Sequence, residues 1–135
     1  MIDSKIGYSA SNKKILTRLA NKCERLSREY TKLRDRSCVC GCGKTTGLDW
    51  AHGISRQREL TKYHKLNTFR MNHECHLEMD HSGEQEKFMI KRLEQQGYYE
   101  LKREAYMPFK PTVEWYQLQI VQLNTLIAEV QHDKY

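Results

Sequence analysis

Two segments of the chain carry apolar side chains at alternating spacings of three and four residues. The first seam comprises Leu16, Leu19, Cys23, Leu26, Tyr30 and Leu33, and the second comprises Val113, Tyr116, Ile120, Leu123, Ile127 and Val130. This period predicts one helix over residues 12–35 and another from Val113, where Pro111 and Thr112 supply a start signal. Seams this narrow suit helix-on-helix packing, either within one chain or across a dimer.

The sequence between these two helices has a different composition. Residues 37–83 are rich in Cys, His, Gly and Asn, and a third helix is predicted over residues 83–106 with a break at Gly97. A block with so little apolar sequence cannot be held together by burial alone, so we expect a bound metal ion. We predict one domain, with a basic helical arm (1–36), a metal-binding core (37–83) and a helical C-terminal part (84–135).

Four of the five cysteines have the spacing of a zinc site. Cys38, Cys40 and Cys42 lie on a glycine-containing turn, and Cys75 follows at the predicted start of a helix. Two cysteine clusters about thirty residues apart can join a hairpin to a helix through one tetrahedral Zn²⁺. The spacing leaves two ligand sets open: all four cysteines, or Cys38, Cys42 and Cys75 with His73. Cys23 lies on the first helical seam, and we interpret it as a buried hydrophobe.

The positive charge of the chain is concentrated at one end. The formal net charge is +6, and residues 1–36 hold ten basic and four acidic side chains, while the rest of the chain is balanced. A basic arm on a neutral body is typical of a protein that binds a polyanion, although a solvated helix face has the same pattern. We expect Lys13, Lys14 and Arg18 to contact DNA. The absence of an apolar span or secretory leader favours the cytoplasm and no membrane contact.

Two histidines near the cysteines are suited to phosphodiester chemistry. An imidazole such as that of His52 titrates near neutrality and can take a proton from water, and phosphodiester cleavage also uses a divalent cation. Asp49 lies three residues before His52 on a predicted strand. His76 follows the last zinc-site cysteine directly. On a helix, Asp80 shares the face of His76, whereas His81 is turned away.

The cysteine turn, DWAH at residues 49–52, Asn67, and CH at residues 75–76 resemble the HNH endonucleases with a zinc-binding cysteine framework. The resemblance implies an α+β, mostly helical fold, with a zinc-stapled ββα-metal core flanked by long N- and C-terminal helices. It implies that His52 activates water and that Asn67 orders the active-site loop. It further implies that His76 helps to hold a catalytic Mg²⁺ or Mn²⁺. Which of Asp49, Asp80 and His81 completes that metal site stays open.

A closer resemblance, over about residues 33–130, is to the NinG/Rap recombination proteins of lambda-like phages. It is carried by RDR at residues 34–36, the cysteine turn, D-x-x-H at 49–52, HGISR at 52–56, Asn67, Cys75 and SG at 82–83. This implies a structure-selective endonuclease that cuts branched DNA such as Holliday junctions or D-loops. The chain departs from the pattern at Asn72, where a second CxxC would place a cysteine, and between Cys75 and the SG pair.

The segment between His52 and Asn67 is strongly basic. Its cations and the arginine that follows it are Arg56, Arg58, Lys62, Lys65 and Arg70. In a ββα unit this loop borders the metal, so we expect these side chains to hold phosphates on either side of the scissile bond. Two alternatives stay open: a zinc-stabilised DNA-binding adaptor without nuclease activity, and a sequence-specific HNH nuclease. Because a symmetric branched substrate needs two cuts, we also expect a homodimer built from the long helices.

Overall fold

Long helices enclose one short antiparallel hairpin in the computed structural model, which describes residues 10–133. The elements in chain order are α1 (Ala10–Arg34), β1 (Leu48–His52), a 3₁₀ turn (Glu59–Thr61), β2 (Thr68–Asn72), α2 (His73–Ser82), α3 (Gln85–Ala105) and α4 (Val113–His132). The predicted α+β, mostly helical class is confirmed at this level. Residues 1–9 of the predicted basic arm lie outside the described residues. No helix within residues 10–133 is both long and apolar enough to cross a membrane.

α1 and α4 pack on each other along the two predicted seams. The buried side chains of this α1–α4 cluster are Cys23, Leu26, Tyr30, Trp50, Tyr63, Tyr116, Leu123 and Ile127. α4 begins where the sequence predicted, because the Thr112 hydroxyl accepts a hydrogen bond from the Trp115 amide at 3.1 Å. Cys23 is fully buried and its Sγ donates to the Tyr116 carbonyl at 3.6 Å, which confirms it as a core residue.

This packing changes the argument for a dimer. Since the two seams cover each other within one chain, neither is left as an apolar stripe that a second copy must bury. The homodimer therefore stays a prediction, and it would have to use another surface.

The hairpin passes directly into α2. β1 and β2 pair antiparallel, with Trp50 opposite Arg70 and His52 opposite Thr68. The last residue of β2, Asn72, caps α2 by accepting the Glu74 amide on its side chain at 3.0 Å. Position 72, where a second CxxC would place a cysteine, therefore ends the strand and starts the helix.

A second cluster of buried side chains, the hairpin cluster, joins the hairpin to α2 and α3. It includes Ala51, Phe69, Met71, Met79, Met89, Tyr98, Leu101 and Ala105. α3 is broken at Glu94, with φ 64° and ψ 165°, so the predicted break at Gly97 was wrong. Leu93 and Tyr98 on the two sides of this break both pack on the hairpin cluster. Packing sets the position of the break, and helix propensity alone does not encode it.

Candidate active site and metal centre

The sulfur atoms of four cysteines converge where the turn before β1 meets α2. The Sγ atoms of Cys38, Cys40, Cys42 and Cys75 all lie within 4.8 Å of one another. Individual separations are 3.2 Å for Cys38–Cys40, 3.5 Å for Cys40–Cys75 and 3.9 Å for Cys42–Cys75. Four thiolates placed tetrahedrally at about 2.3 Å from Zn²⁺ lie about 3.8 Å apart. The cluster could therefore hold a metal ion such as zinc.

Two glycines allow three of these cysteines to come from one five-residue turn. Gly41 and Gly43 alternate with Cys40 and Cys42 and have φ values of 88° and 86°. This left-handed backbone is strained for residues with a Cβ atom and free of that penalty for glycine. The turn can thus point alternate side chains to the same side, which relieves the crowding expected of a CxCxC ligand run.

Backbone amides contact two of the sulfurs. The Asn72 amide donates to Cys38 Sγ at 3.2 Å, and the Lys44 amide lowers the pKa of the exposed Cys42 thiol to about 7. Burial raises the pKa of Cys40 to about 12, and the pKa of Cys75 is raised as well. Metal ligation requires the thiolate form, so a bound ion would have to displace the protons of these two thiols.

His73, the alternative fourth zinc ligand, binds a different partner. Its Nδ1 lies 2.8 Å from Asp49 Oδ2. Of the two predicted ligand sets, the structure assembles the one made of cysteines, with Cys40 in the cluster.

Asp49 is the centre of a second polar cluster, at the junction of β1 and α2. Its Oδ2 lies 3.0 Å from Nδ1 of His76 and also contacts His73. The other ring nitrogen of His76, Nε2, lies 3.5 Å from Asp80 Oδ2. Partial burial works to raise the pKa of Asp49, but the hydrogen bonds from His76 and His73 lower it overall. The carboxylate is therefore kept ionised, as a cation ligand must be.

The separations in this second cluster are those of hydrogen bonds and ion pairs between histidines and carboxylates. Among residues 10–133, the one group of three or more side chains close enough together to hold a metal ion is the cysteine cluster. The divalent ion at Asp49 and His76 therefore stays a prediction. Asp80 meets the opposite nitrogen of the His76 ring. His81 is exposed on α2 and takes no part in these contacts.

His52 ends β1 with its imidazole held in one tautomer. The residue is only 7% exposed, and its Nε2 lies 2.8 Å from the carbonyl oxygen of Lys62. A carbonyl can only accept, so Nε2 carries the proton and Nδ1 is the basic nitrogen. Burial lowers the pKa of His52 to about 4, with the hydrogen bond to Lys62 opposing the shift and the charge of Arg56 adding to it. The imidazole is therefore neutral at physiological pH.

Asn67 closes the loop that supplies this carbonyl. Its side chain is fully buried, with Oδ1 accepting the Ile54 amide at 2.7 Å. Its Nδ2 donates to the carbonyls of Ile54 and Thr61, both at 3.0 Å. The loop from Gly53 to Asn67 is thus pinned at its two ends and near its middle, one residue before Lys62.

Arginine side chains surround Trp50 on the side of the hairpin that faces α1. The guanidinium of Arg56 lies 5.3 Å from the indole centroid and that of Arg28 lies 4.8 Å from it. Glu24 binds both, at 3.2 Å and 3.0 Å. Arg56 was predicted as a DNA contact, whereas Arg28 and Glu24 were missed. Their signal was weak, because they are two charges among many on α1.

The other cations of the loop that were predicted to bind DNA differ in how exposed they are. Arg58 is exposed and stacks 3.9 Å from the ring centroid of Tyr106. Lys62 is largely covered and pairs with Glu59 at 3.8 Å, which makes it a poorer phosphate ligand than expected. Lys65 is exposed.

The predicted cations outside the loop occupy two different environments. Lys13, Lys14 and Arg18 are exposed and line one shallow concavity on α1. Arg70 lies on β2, and its Nε is buried without a hydrogen-bond partner among the described residues. Burial, together with the charge of Arg28, lowers the pKa of Arg70.

The RDR motif at residues 34–36 ties α1 to the hairpin. Arg34 donates to Asp35 through Nε and a terminal nitrogen, at 2.8 and 2.7 Å. It also donates to the carbonyls of Lys65 and Thr68. Asp35 in turn accepts the Arg70 amide at 3.2 Å. The first two residues of the motif are therefore used inside the protein, while Arg36 is exposed.

Comparison with known proteins assigns no family to the chain. No family model, no curated protein and no solved structure matches it. The resemblance to HNH endonucleases therefore stays a prediction that rests on the residues quoted above.

Proposed function

We propose that this protein is an HNH-type, metal-dependent endonuclease that hydrolyses phosphodiester bonds in DNA. The observation that carries the proposal is the position of Asp49. One of its carboxylate oxygens meets His76 of α2 at 3.0 Å, and His52 follows it on the same strand with its tautomer fixed. The proposed general base and cation ligands therefore come from one hairpin and the helix that follows it. His52 lies beside Trp50, with 4.4 Å between the ring centroids, while Asp49 contacts α2.

In this mechanism His52 takes a proton from the attacking water. Nδ1 is the acceptor, because Nε2 donates to the Lys62 carbonyl. The same carbonyl stabilises the imidazolium that forms, since its dipole points at the protonated ring. The low pKa in the free protein keeps the base unprotonated. A bound phosphate beside the ring raises that pKa, because an adjacent negative charge favours the protonated form.

The remaining residues position the reacting groups. Asp49 and His76 would hold the divalent ion, which when bound neutralises charge on the phosphate and stabilises the departing 3′-oxygen. A carboxylate paired with an imidazole suits Mn²⁺ as well as Mg²⁺. Asp80 orients the His76 ring, and Asn67 keeps the loop in place. A zinc ion held by Cys38, Cys40, Cys42 and Cys75 would be structural, because four cysteines would leave no open coordination position.

The substrate in this proposal is branched DNA, in phage recombination within the host cytoplasm. The support is the resemblance to the recombination proteins together with the exposed cations around the site. Arg56, Arg58 and Lys65 border the loop that holds His52, and Lys13 and Lys14 extend the basic surface along α1. These charges would bind phosphates without reading sequence.

The test is cleavage of a four-way junction, a D-loop and a linear duplex of the same sequence, with Mg²⁺, Mn²⁺ or chelator. We expect ion-dependent cleavage that favours a branched substrate. His52→Ala should slow cleavage by about 10²- to 10⁴-fold with little change in DNA affinity, because the base acts in chemistry and not in docking. His76→Ala should also lose activity. The matched control His81→Ala removes a histidine from the same helix outside the Asp49 contacts and should cut at the wild-type rate.

The alternatives give different results. Tight binding of branched DNA by wild-type protein, without cleavage under any ion, would indicate the zinc-stabilised adaptor. Cleavage confined to one sequence in linear duplex would indicate a sequence-specific nuclease. Equal cleavage by wild type and His52→Ala would reject His52 as the base.

A further inference from the structure

An open cavity of about 610 Å³ lies where the C-terminal end of α1 meets the hairpin. Lys32 and Arg36 line it from the α1 side, and Arg70 lines it from β2. Leu48 also lines it and is followed directly by Asp49 of the candidate active site. The cavity thus adjoins the site without being part of it.

The cavity carries an excess of positive charge. Its acidic lining residues are Glu29 and Asp35. Asp35 is already bound by Arg34 through two short hydrogen bonds. The three cations Lys32, Arg36 and Arg70 therefore outnumber the two acids that line the cavity. In the part of the chain that the structure describes, none of these three forms an ion pair within 4.0 Å.

Among the described residues, Arg70 is the one lining the cavity that has a buried hydrogen-bond donor without an acceptor. Its Nε is buried with no acceptor among residues 10–133. A buried donor on a charged group is costly when it has no partner, and native structures seldom leave one without a reason. Burial and then the charge of Arg28 lower the pKa of Arg70, while Asp49 and Asp35 oppose the shift without cancelling it. An anion in the cavity would meet the part of the guanidinium that lines it and would offset its charge, since a guanidinium binds phosphate oxygens through two parallel hydrogen bonds.

We propose that this cavity is a phosphate-binding subsite that takes a backbone phosphate of the DNA strand outside the scissile bond. The inference rests on the proposed function for the identity of the polyanion. It assigns Lys32 and Arg36, which lie outside the loop between His52 and Asn67, to the substrate path. It also gives the last residue of the RDR motif a role, since the first two are used to join α1 to the hairpin.

The test measures binding without cleavage. Affinity for a labelled four-way junction and for a linear duplex is measured in chelator across a salt series, for wild type, Arg36→Gln and Arg70→Gln. Each variant should weaken binding and reduce the slope of log affinity against log salt by about one, as expected for one lost phosphate contact. The matched control Arg103→Gln removes an exposed arginine from the end of α3 and should leave the slope unchanged. Arg36 is exposed, so its variant keeps the test valid even if Arg70→Gln folds poorly.

A second measurement distinguishes a subsite for the phosphates of DNA from a site for free inorganic phosphate. Thermal unfolding is followed with inorganic phosphate against chloride at equal ionic strength. A slope reduced in both variants supports the subsite, whether or not phosphate alone stabilises the protein. An unchanged slope in both variants overturns it, and so does stabilisation by inorganic phosphate with an unchanged DNA slope. Wild-type protein that binds with the predicted slopes and cuts nothing would reject the nuclease and leave the subsite standing.

Discussion

Replacing Cys75 by serine tests the cysteine cluster as a structural zinc site. Cys75 is the one member of the cluster that comes from α2, while the other three come from the turn before β1. α2 is ten residues long and Met79 is its buried residue. A two-stranded hairpin is marginal by itself, so a metal ion bound through Cys75 would fix α2 to the turn.

The expected loss is large but confined to one part of the protein. Zinc binding contributes about 10 kcal/mol or more in small zinc domains, against a net stability of about 5–15 kcal/mol for a whole domain. The α1–α4 cluster contains no zinc ligand and should survive zinc removal. We expect Cys75→Ser to cost at least about 4 kcal/mol, which lowers Tm by roughly 12 °C or more in a chain of this size.

The assay combines metal content, thermal unfolding and hydrogen exchange. Wild-type protein should hold one zinc per chain, and a chelator should lower its Tm and expose the amides of residues 38–82 before those of α1 and α4. Cys75→Ser should lack this chelator response. Cys23→Ser is the matched control: it changes a buried cysteine outside the cluster, so it should keep both the zinc and the response.

The result that would refute the reasoning is protein that folds with no zinc and has a Tm unaffected by chelator. Loss of zinc in His73→Ala with retention in Cys40→Ser would instead refute the ligand set, because His73 contacts Asp49 in the structure.

Three further predictions concern pH, charge and assembly. Burial lowers the pKa of His52 to about 4, so the stability that its neutral form contributes should be full above pH 6.5 and be lost as pH falls through 4. The free energy of unfolding of the wild type, measured by urea titration, should fall by about 3 kcal/mol over this range because of His52, and this part of the fall should be absent in His52→Asn. Glutamine at Lys13, Lys14 and Arg18 should flatten the salt dependence of DNA binding by about one per lost phosphate contact, and an unchanged slope would mean that this face is only solvated. Light scattering should give twice 16.1 kDa if the protein is a dimer, and a constant 16.1 kDa at micromolar protein would reject it.

The features that the sequence predicted well depend on local pattern. The two seams located α1 and α4, because a period of 3.5 needs no knowledge of the partner surface. The spacing of Cys38, Cys40, Cys42 and Cys75 indicated one cluster, since glycines at alternate positions make the turn possible. The i, i+4 relation of His76 and Asp80 likewise followed from helix geometry alone.

The features that the sequence did not predict depend on which elements pack against each other in the folded protein. Periodicity could not decide whether the seams pair within a chain, and the structure pairs them through residues such as Leu26 and Leu123. The contact of His73 with Asp49 required the relative orientation of β1 and α2, which no single segment carries. In the sequence, Glu24 and Arg28 look like ordinary charges on a helix. Only the structure shows that Arg28 lies over the Trp50 ring and is bound by Glu24. The break at Glu94 follows packing rather than composition.

The two candidate metal sites are joined through the start of α2, and this gives the cysteine cluster a consequence for chemistry. Asn72 donates its amide to Cys38 Sγ and caps α2 with its side chain. One turn of helix then carries both Cys75 and His76, so a metal ion bound through Cys75 would also fix the backbone from which His76 projects. Because His76 meets Asp49 at 3.0 Å, a small rotation of α2 would separate the two proposed ligands of the divalent ion. Zinc bound by the cysteine cluster would therefore position His76 in the proposed active site as well as stabilise the fold.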